Sequence, residues 1–201
     1  TGPLDMRMNP HRGLPASALL ERWVAADLAR LLVDAADEPD ADALGRALAG
    51  RHFATTTDLA RAVRDAQPHA ALEAAELSVR RVFQALRIAV NEEFTALDTL
   101  LRQLPACLAP GGRVAILTFH SGEDRRVKKA FAEGLAAGLY DAVANEVVRP
   151  GRGRAAPQPA LHVRQASLGP TRSSLIVTGI SPVGDALTQS SRAVSYTHLT
   201  L

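Results

Sequence analysis

Three polar residues in this sequence stand where they could act on a bound molecule. His120 and Ser121 directly follow a short apolar run, Val114 to Phe119, which is typical of a strand buried on both faces. Open α/β sheets place their ligands at the carboxyl ends of strands, so both residues are candidate ligand contacts. Ser121 is also a candidate helix N-cap, because Asp124 follows at the spacing of a capping box. Arg125 could contact a phosphate or lie on a solvated helix face.

A second candidate surface runs along a predicted helix. Apolar residues recur every three or four positions from Val79 to Leu104, which predicts one long helix over 79–104 that is ended by Pro105. A polar stripe lies beside the apolar one and consists of Arg80, Gln84, Arg87 and Asn91. Such a stripe could bind a ligand or pack against a neighbouring domain.

The elements that must position these residues predict an α/β protein. Residues 1–12 have no periodicity and are expected to form a loop, whereas residues 13–105 are expected to form a helical domain. Thr55 and its neighbours offer N-cap oxygens for a short helix within that domain. Residues 106–150 then read as strand, helix and strand, the order found in a doubly wound sheet.

Composition excludes several classes of protein. The single Cys107 excludes a disulfide framework and a cysteine metal cluster, and it suits the reducing cytoplasm. The six histidines are scattered, so no metal site is expected, and no apolar run is long enough to span a membrane. A serine hydrolase is disfavoured because Ser121 lacks the preceding glycine of a nucleophile elbow.

Three segments of the chain form long, specific motifs. They are Gly-Pro-Leu-Asp-Met-Arg-Met at 2–8, Phe-Gln-Ala-Leu-Arg-Ile-Ala-Val-Asn-Glu-Glu at 83–93, and the segment from Leu108 to Lys128, which contains Phe-His-Ser-Gly-Glu-Asp-Arg. In this order they resemble the motifs of one enzyme family, the ribosomal RNA cytosine-amine methyltransferases of the MraW type. The chain departs from the family at 77–80, where a His-Pro-Ala-Thr run is usual, and at Gly122, where a leucine is usual.

This resemblance implies a Rossmann-like class I methyltransferase with an inserted helical domain, of which this chain is mostly helical with about two core strands. It further implies methyl transfer from S-adenosylmethionine to the exocyclic amine of a cytosine in small-subunit ribosomal RNA, in the cytoplasm. The cofactor's glycine-rich loop is expected upstream of Thr1, so we expect no cofactor-binding residue in this chain and no activity of the chain alone. A non-catalytic helical RNA-binding module is the alternative.

The same resemblance suggests roles for individual residues. Asp5 could accept a hydrogen bond from the target amine, as a catalytic group, or simply fix its loop. Arg87 and Asn91 could reach the RNA or brace the loop that carries the acceptor site. His120, Ser121 and Arg125 would then lie on the RNA side, although Ser121 could serve as a helix cap instead.

The last fifty residues differ from the rest in charge. Residues 1–150 carry 18 Lys and Arg against 20 Asp and Glu, whereas residues 151–201 carry 5 against 1. When the reading frame is shifted by one base across 158–169 and silent codon positions are chosen to fit, this stretch can spell Asn-Pro-Arg-Ser-Thr-Ser-Ala-Lys-Leu-Arg-Trp, which is close to the family's last motif. We therefore expect residues 151–201 to be out of frame or disordered.

Overall fold

The computed structural model describes residues 2–109 and 112–143, together with the backbone of 174–179. Seven helices and three short strands follow one another along these residues. They are α1 (Ala16–Arg22), α2 (Ala25–Ala36), α3 (Ala41–Leu48), α4 (Thr56–Asp65), α5 (Leu72–Val90), α6 (Glu93–Cys107), β1 (Arg113–Thr118), α7 (Ser121–Ala136), β2 (Ala142–Val143) and β3 (Ser174–Gly179). No helix among the described residues is both long and apolar enough to cross a membrane.

Helices α1 to α5 share one aliphatic core. Each helix buries a single apolar face, and the buried side chains include Leu20, Leu32, Leu44, Leu59 and Leu86. Leu4 is 1% exposed in the same core, so the N-terminal loop is anchored to the helices. Thr55 caps α4, as predicted for this group of residues, and it does so in a reciprocal capping box with Asp58.

The long helix predicted over 79–104 is wrong, because it is two helices. Helix α5 begins earlier, at Leu72, and ends at Val90; Glu92 takes a left-handed conformation with φ 52°, and α6 begins at Glu93. The Asn91 side chain donates to the Arg87 carbonyl and bonds the N-terminal loop, so it competes with the helical ladder. Pro105 does not end α6, which continues to Cys107.

The strands form a parallel sheet in the order β1-β3-β2. Val114 and Ile116 pack on Val127 and Phe131 of α7, so this helix covers one face of β1. The opposite face is exposed, with Leu117 at 49%. The expectation that β1 is buried on both faces is therefore wrong, because no described element covers the second face.

The C-terminal predictions fall only partly on described residues. The strand expected over 140–148 is present as Ala142–Val143, and the rest of that range lies outside the described residues. Ser174–Gly179 pairs with both other strands, and the expectation that residues 151–201 are out of frame or disordered stays a prediction. The described part is mostly helical, as predicted, but it has three strands rather than about two.

Candidate functional site

Asp5 is bound to its near neighbour Arg7. The Arg7 guanidinium donates to both carboxylate oxygens, with Nε to Oδ1 at 2.7 Å and a terminal nitrogen to Oδ2 at 2.8 Å. These hydrogen bonds lower the pKa of Asp5 below its usual value, although partial desolvation opposes them. Both oxygens are thus engaged by a cation, which favours the loop-fixing role of Asp5, and its role as a hydrogen-bond acceptor for the target amine stays a prediction.

Asn91 joins the end of α5 to the N-terminal loop. Its Oδ1 accepts the Met8 amide at 2.8 Å, and its Nδ2 donates to the Met6 carbonyl at 3.0 Å and to the Arg87 carbonyl at 2.8 Å. Met6 has a positive φ of 66°, which is uncommon for a residue with a side chain. Asn91 therefore braces the N-terminal loop, and its predicted roles towards the RNA or the loop that carries the acceptor site stay predictions.

Arg87 faces α6. Its guanidinium donates to the two carboxylate oxygens of Glu93 at 2.9 and 3.1 Å. The Arg87 side chain is 46% exposed, whereas that of Glu93 is 19% exposed. The pair bridges the break between α5 and α6, and it leaves one side of the guanidinium open to solvent.

A groove opens beside this junction. It has a volume of about 850 Å³ and lies between the N-terminal loop and the start of α6; its lining includes Met8, Arg12, Asn91, Thr95 and Ala96. Arg12 is 80% exposed and lies 3.6 Å from Glu92. The groove falls within the size range of small-ligand sites.

His120 is the N-cap of α7, a role that the sequence assigned to Ser121. Its Nδ1 accepts the Glu123 amide at 3.4 Å, and the Glu123 carboxylate reaches back to the Phe119 amide at 2.8 Å. The capping box predicted from Ser121 to Asp124 is wrong, because the cap lies one residue earlier, at His120. His120 is 7% exposed, and its ring lies 5.8 Å from that of Phe94.

Burial makes His120 harder to protonate. Desolvation lowers the pKa of His120 below its usual 6.5, and Arg87 adds to this effect, whereas Glu123 and Glu93 oppose it. The neutral ring is consistent with the cap, because Nδ1 can accept a hydrogen bond only when it is unprotonated. One atom each of Glu93, His120 and Glu123 lie within 4.8 Å of one another, so the fold assembles a cluster that scattered histidines did not predict.

Ser121 and Arg125 are engaged by the helical domain rather than free for a ligand. The Ser121 hydroxyl donates to one oxygen of Asp37, and Arg125 donates to the other at 2.9 Å. Asp37 follows α2 in a left-handed conformation. The pKa of Asp37 is lowered, and the hydrogen bond from Ser121 is the largest cause of this shift. The neighbouring Arg126 donates to Asp34 and, at 3.2 Å, to Asp98.

The structure thus separates five of the six candidate residues into two groups, while Asp5 pairs with Arg7. Asn91, Arg87 and His120 adjoin one another through the Arg87 carbonyl and the Glu93 carboxylate, whereas Ser121 and Arg125 form an interdomain clamp with Asp37. Four residues that contact the candidates were not predicted from the sequence: Glu93, Glu123, Arg7 and Asp37. Only Glu123 had a local signal, because it lies three residues after the true cap.

The described residues do not form a cradle for a nucleotide cofactor. The strand-to-helix turn between β1 and α7 carries Phe119 and His120, not the glycines that let a backbone approach a phosphate or sulfonium cofactor. The α7 amide that this turn would present, Glu123 N–H, is already capped by His120. No step of a reaction can be derived through a cofactor from these residues.

Comparison with known proteins gives one consistent family. The MraW methylase family matches residues 1–142. A ribosomal RNA small subunit methyltransferase H 2 from Alkaliphilus metalliredigens is 44% identical over 158 residues, which cover 74% of this chain and 45% of that protein. A ribosomal RNA small subunit methyltransferase H from Halorhodospira halophila is 48% identical over 133 residues, which cover 64% of this chain and 40% of that protein.

The chain spans less than half the length of both relatives. The family match nevertheless covers the loop with Asp5, the Arg87 and Asn91 junction, and the cap at His120. The chain therefore belongs to the MraW methylase family.

Proposed function

We propose that this chain is part of an enzyme that transfers a methyl group from S-adenosylmethionine to the exocyclic amine of a cytosine in small-subunit ribosomal RNA. The observation that carries the proposal is the family match over residues 1–142. The relatives are named for methylation of small-subunit ribosomal RNA, and the cytosine amine and the cofactor come from the resemblance of the three motifs.

The cytosine amine is a weak nucleophile, since its lone pair is shared with the ring. Its methylation depends mainly on close positioning and on hydrogen-bond acceptors for the amine hydrogens. In this chain Asn91 would supply positioning, because it holds the backbone of Met6 and Met8 in a fixed conformation. The Asp5 and Arg7 pair would stiffen the same loop.

The target base must leave any stack or pairing before its amine can be reached. The groove beside Asn91 is large enough for a nucleoside, and Arg12 at its rim could meet a phosphate. We therefore place the RNA on the side of the molecule that carries the N-terminal loop and the α5 to α6 junction. Ser121 and Arg125 would contribute by holding the helical domain on α7 rather than by touching RNA.

The cofactor would be bound mainly by residues outside this chain, in a Rossmann-like sheet that continues from β1. Two features support this proposal. The chain covers only 45% and 40% of the lengths of the Alkaliphilus and Halorhodospira relatives. Apolar side chains at the end of β1 are exposed, with Phe119 at 66%. An exposed apolar patch of this kind is typical of a surface that another segment covers.

Titration with labelled S-adenosylmethionine tests this division of labour. The 201-residue chain should show no saturable binding, whereas the chain joined to the preceding half of the Alkaliphilus relative should bind one cofactor per chain. The alternative, a helical RNA-binding module, predicts that the joined protein binds ribosomal RNA but not the cofactor. Tight cofactor binding by the chain alone would contradict the proposal.

A further inference from the structure

A half-buried cluster joins the first turn of α6 to the first turn of α7. It consists of Glu93, His120 and Glu123, whose side chains are 19%, 8% and 23% exposed. One potential ligand atom from each lies within 4.8 Å of the other two. These residues are not the surface carboxylates that commonly gather without a function, because the histidine is more than nine-tenths buried.

An unpartnered nitrogen points into this cluster. His120 Nε2 is buried, and in the described part of the chain it has no hydrogen-bond partner. A buried polar atom without a partner is costly, so this nitrogen needs a water, a ligand or an ion as its partner. The nearest carboxylate oxygen, Glu123 Oε1, lies 3.4 Å away. That separation is long for a hydrogen bond, but two ligands bound at 2.0–2.1 Å to one tetrahedral metal ion lie roughly 3.3–3.5 Å apart.

The charges of the cluster also favour a cation. Two carboxylates face His120, and Arg87 donates two hydrogen bonds to one of them, Glu93, whereas the structure gives no arginine contact to Glu123 among the described residues. Because Arg87 is 46% exposed, its guanidinium can swing into solvent and release Glu93. Glu123 Oε1 is already turned towards His120, while its second oxygen accepts the Phe119 amide.

We propose that Glu93, His120 and Glu123 form a binding site for a divalent transition-metal ion of the zinc class, which would clamp α6 to α7. One imidazole nitrogen and two carboxylate oxygens are a ligand set that this class of ion accepts, with a further position left for water. Binding at Nε2 requires the ring proton on Nδ1, so the contact from Nδ1 to the Glu123 amide is given up. At 3.4 Å that contact is weak, and the Glu123 bond to the Phe119 amide remains. The site is independent of the proposed methylation, since no step of that reaction uses the ion.

Isothermal titration of the untagged 201-residue chain with Zn²⁺ tests the site, and Co²⁺ absorption reports its coordination number. Every protein carries Cys107→Ser, because Cys107 is an exposed thiol that could bind the ion itself. We expect one ion per chain. Glu123→Gln should weaken the affinity for Zn²⁺ by about tenfold or more. Loss of a residue that only hydrogen-bonds to a metal ligand already lowers metal affinity by about that factor. Glu92→Gln is the matched control, because Glu92 neighbours Glu93 but lies outside the cluster, and its affinity should not change.

Two further variants keep the test decisive. His120→Asn retains a capping oxygen for α7 but removes Nε2, so it should fold, as circular dichroism will show, and lose the ion. Arg87→Gln removes the competing cation from Glu93 and should strengthen binding. Absence of saturable binding at one ion per chain, or binding that survives both His120→Asn and Glu123→Gln, would overturn the proposal.

Discussion

Replacing Asn91 by alanine should loosen the Met6 to Met8 part of the N-terminal loop, while Leu4 stays in the core. The change removes two hydrogen bonds that reach the loop, to the Met8 amide and the Met6 carbonyl, and a third to the Arg87 carbonyl. Each is worth about 0.5–1.5 kcal/mol net, and only the first two join distant parts of the chain, so we expect a loss of about 2 kcal/mol. For a chain of this size the melting temperature should fall by about 4–8 °C.

Thermal unfolding and amide hydrogen exchange measure this effect together. The Met8 amide should exchange faster in Asn91→Ala, because it loses its acceptor. Asn9→Ala is the matched control, since the Asn9 side chain is seen to accept only the local His11 amide at 3.0 Å and is exposed; its stability should change by less than about 0.5 kcal/mol. Asn91→Asp should lower the stability at least as much as Asn91→Ala, because it replaces the donor Nδ2 by an oxygen that faces the Met6 and Arg87 carbonyls. If Asn91→Ala melts like the Asn9 control and the Met8 exchange rate is unchanged, the loop is not held by Asn91.

Three further predictions concern the junction between the helical domain and α7. Gly122→Leu, which restores the residue usual in the family, should lower the free energy of unfolding by about 1–3 kcal/mol, because its Cβ would lie 2.7 Å from the Phe94 ring. Phe94→Ala should relieve part of that loss in the double variant. Additive losses of the two substitutions in unfolding experiments would refute this contact. Acidification below about pH 6.5 should destabilise the protein, because the pKa of His120 is lowered in the folded state and the unfolded state takes up the proton first. His120→Asn should flatten this pH dependence of stability in unfolding curves measured from pH 7.5 to 5. An unchanged slope in the variant would refute the role of His120. Asp37→Asn should lower the free energy of unfolding by about 1 kcal/mol at pH 7, because it removes the ion pair with Arg125. The difference in stability between this variant and the parent should shrink as the pH falls through the lowered pKa of Asp37. A difference that stays constant with pH would contradict the ion pair.

The sequence predicts the features of this fold that depend on near neighbours. The α4 cap follows from Thr55 and Asp58, which are three residues apart, and β1 follows from a continuous apolar run. The apolar period, however, continues from α5 into α6, so it gives no sign of the break at Asn91 and Glu92. That break depends on the N-terminal loop, whose Met8 lies 83 positions away in sequence.

The candidate site was predictable in its location but not in its contacts. His120 was placed correctly at the carboxyl end of a strand, yet its capping role was given to Ser121 because serine is the commoner cap. The true partner of Ser121 is Asp37, on an element that no local pattern connects to α7. Residue type and spacing indicate which side chains can do chemistry, but long-range pairing decides which of them remain free to do so.

Methyl transfer to isolated small ribosomal subunits tests the central claim most directly. The chain joined to the preceding half of the Alkaliphilus relative is incubated with methyl-labelled S-adenosylmethionine, and the RNA is digested to nucleosides. We expect label on the exocyclic amine of cytidine, at a rate that falls in Asn91→Ala. Label on another nucleoside, or tight RNA binding without any transfer, would contradict it.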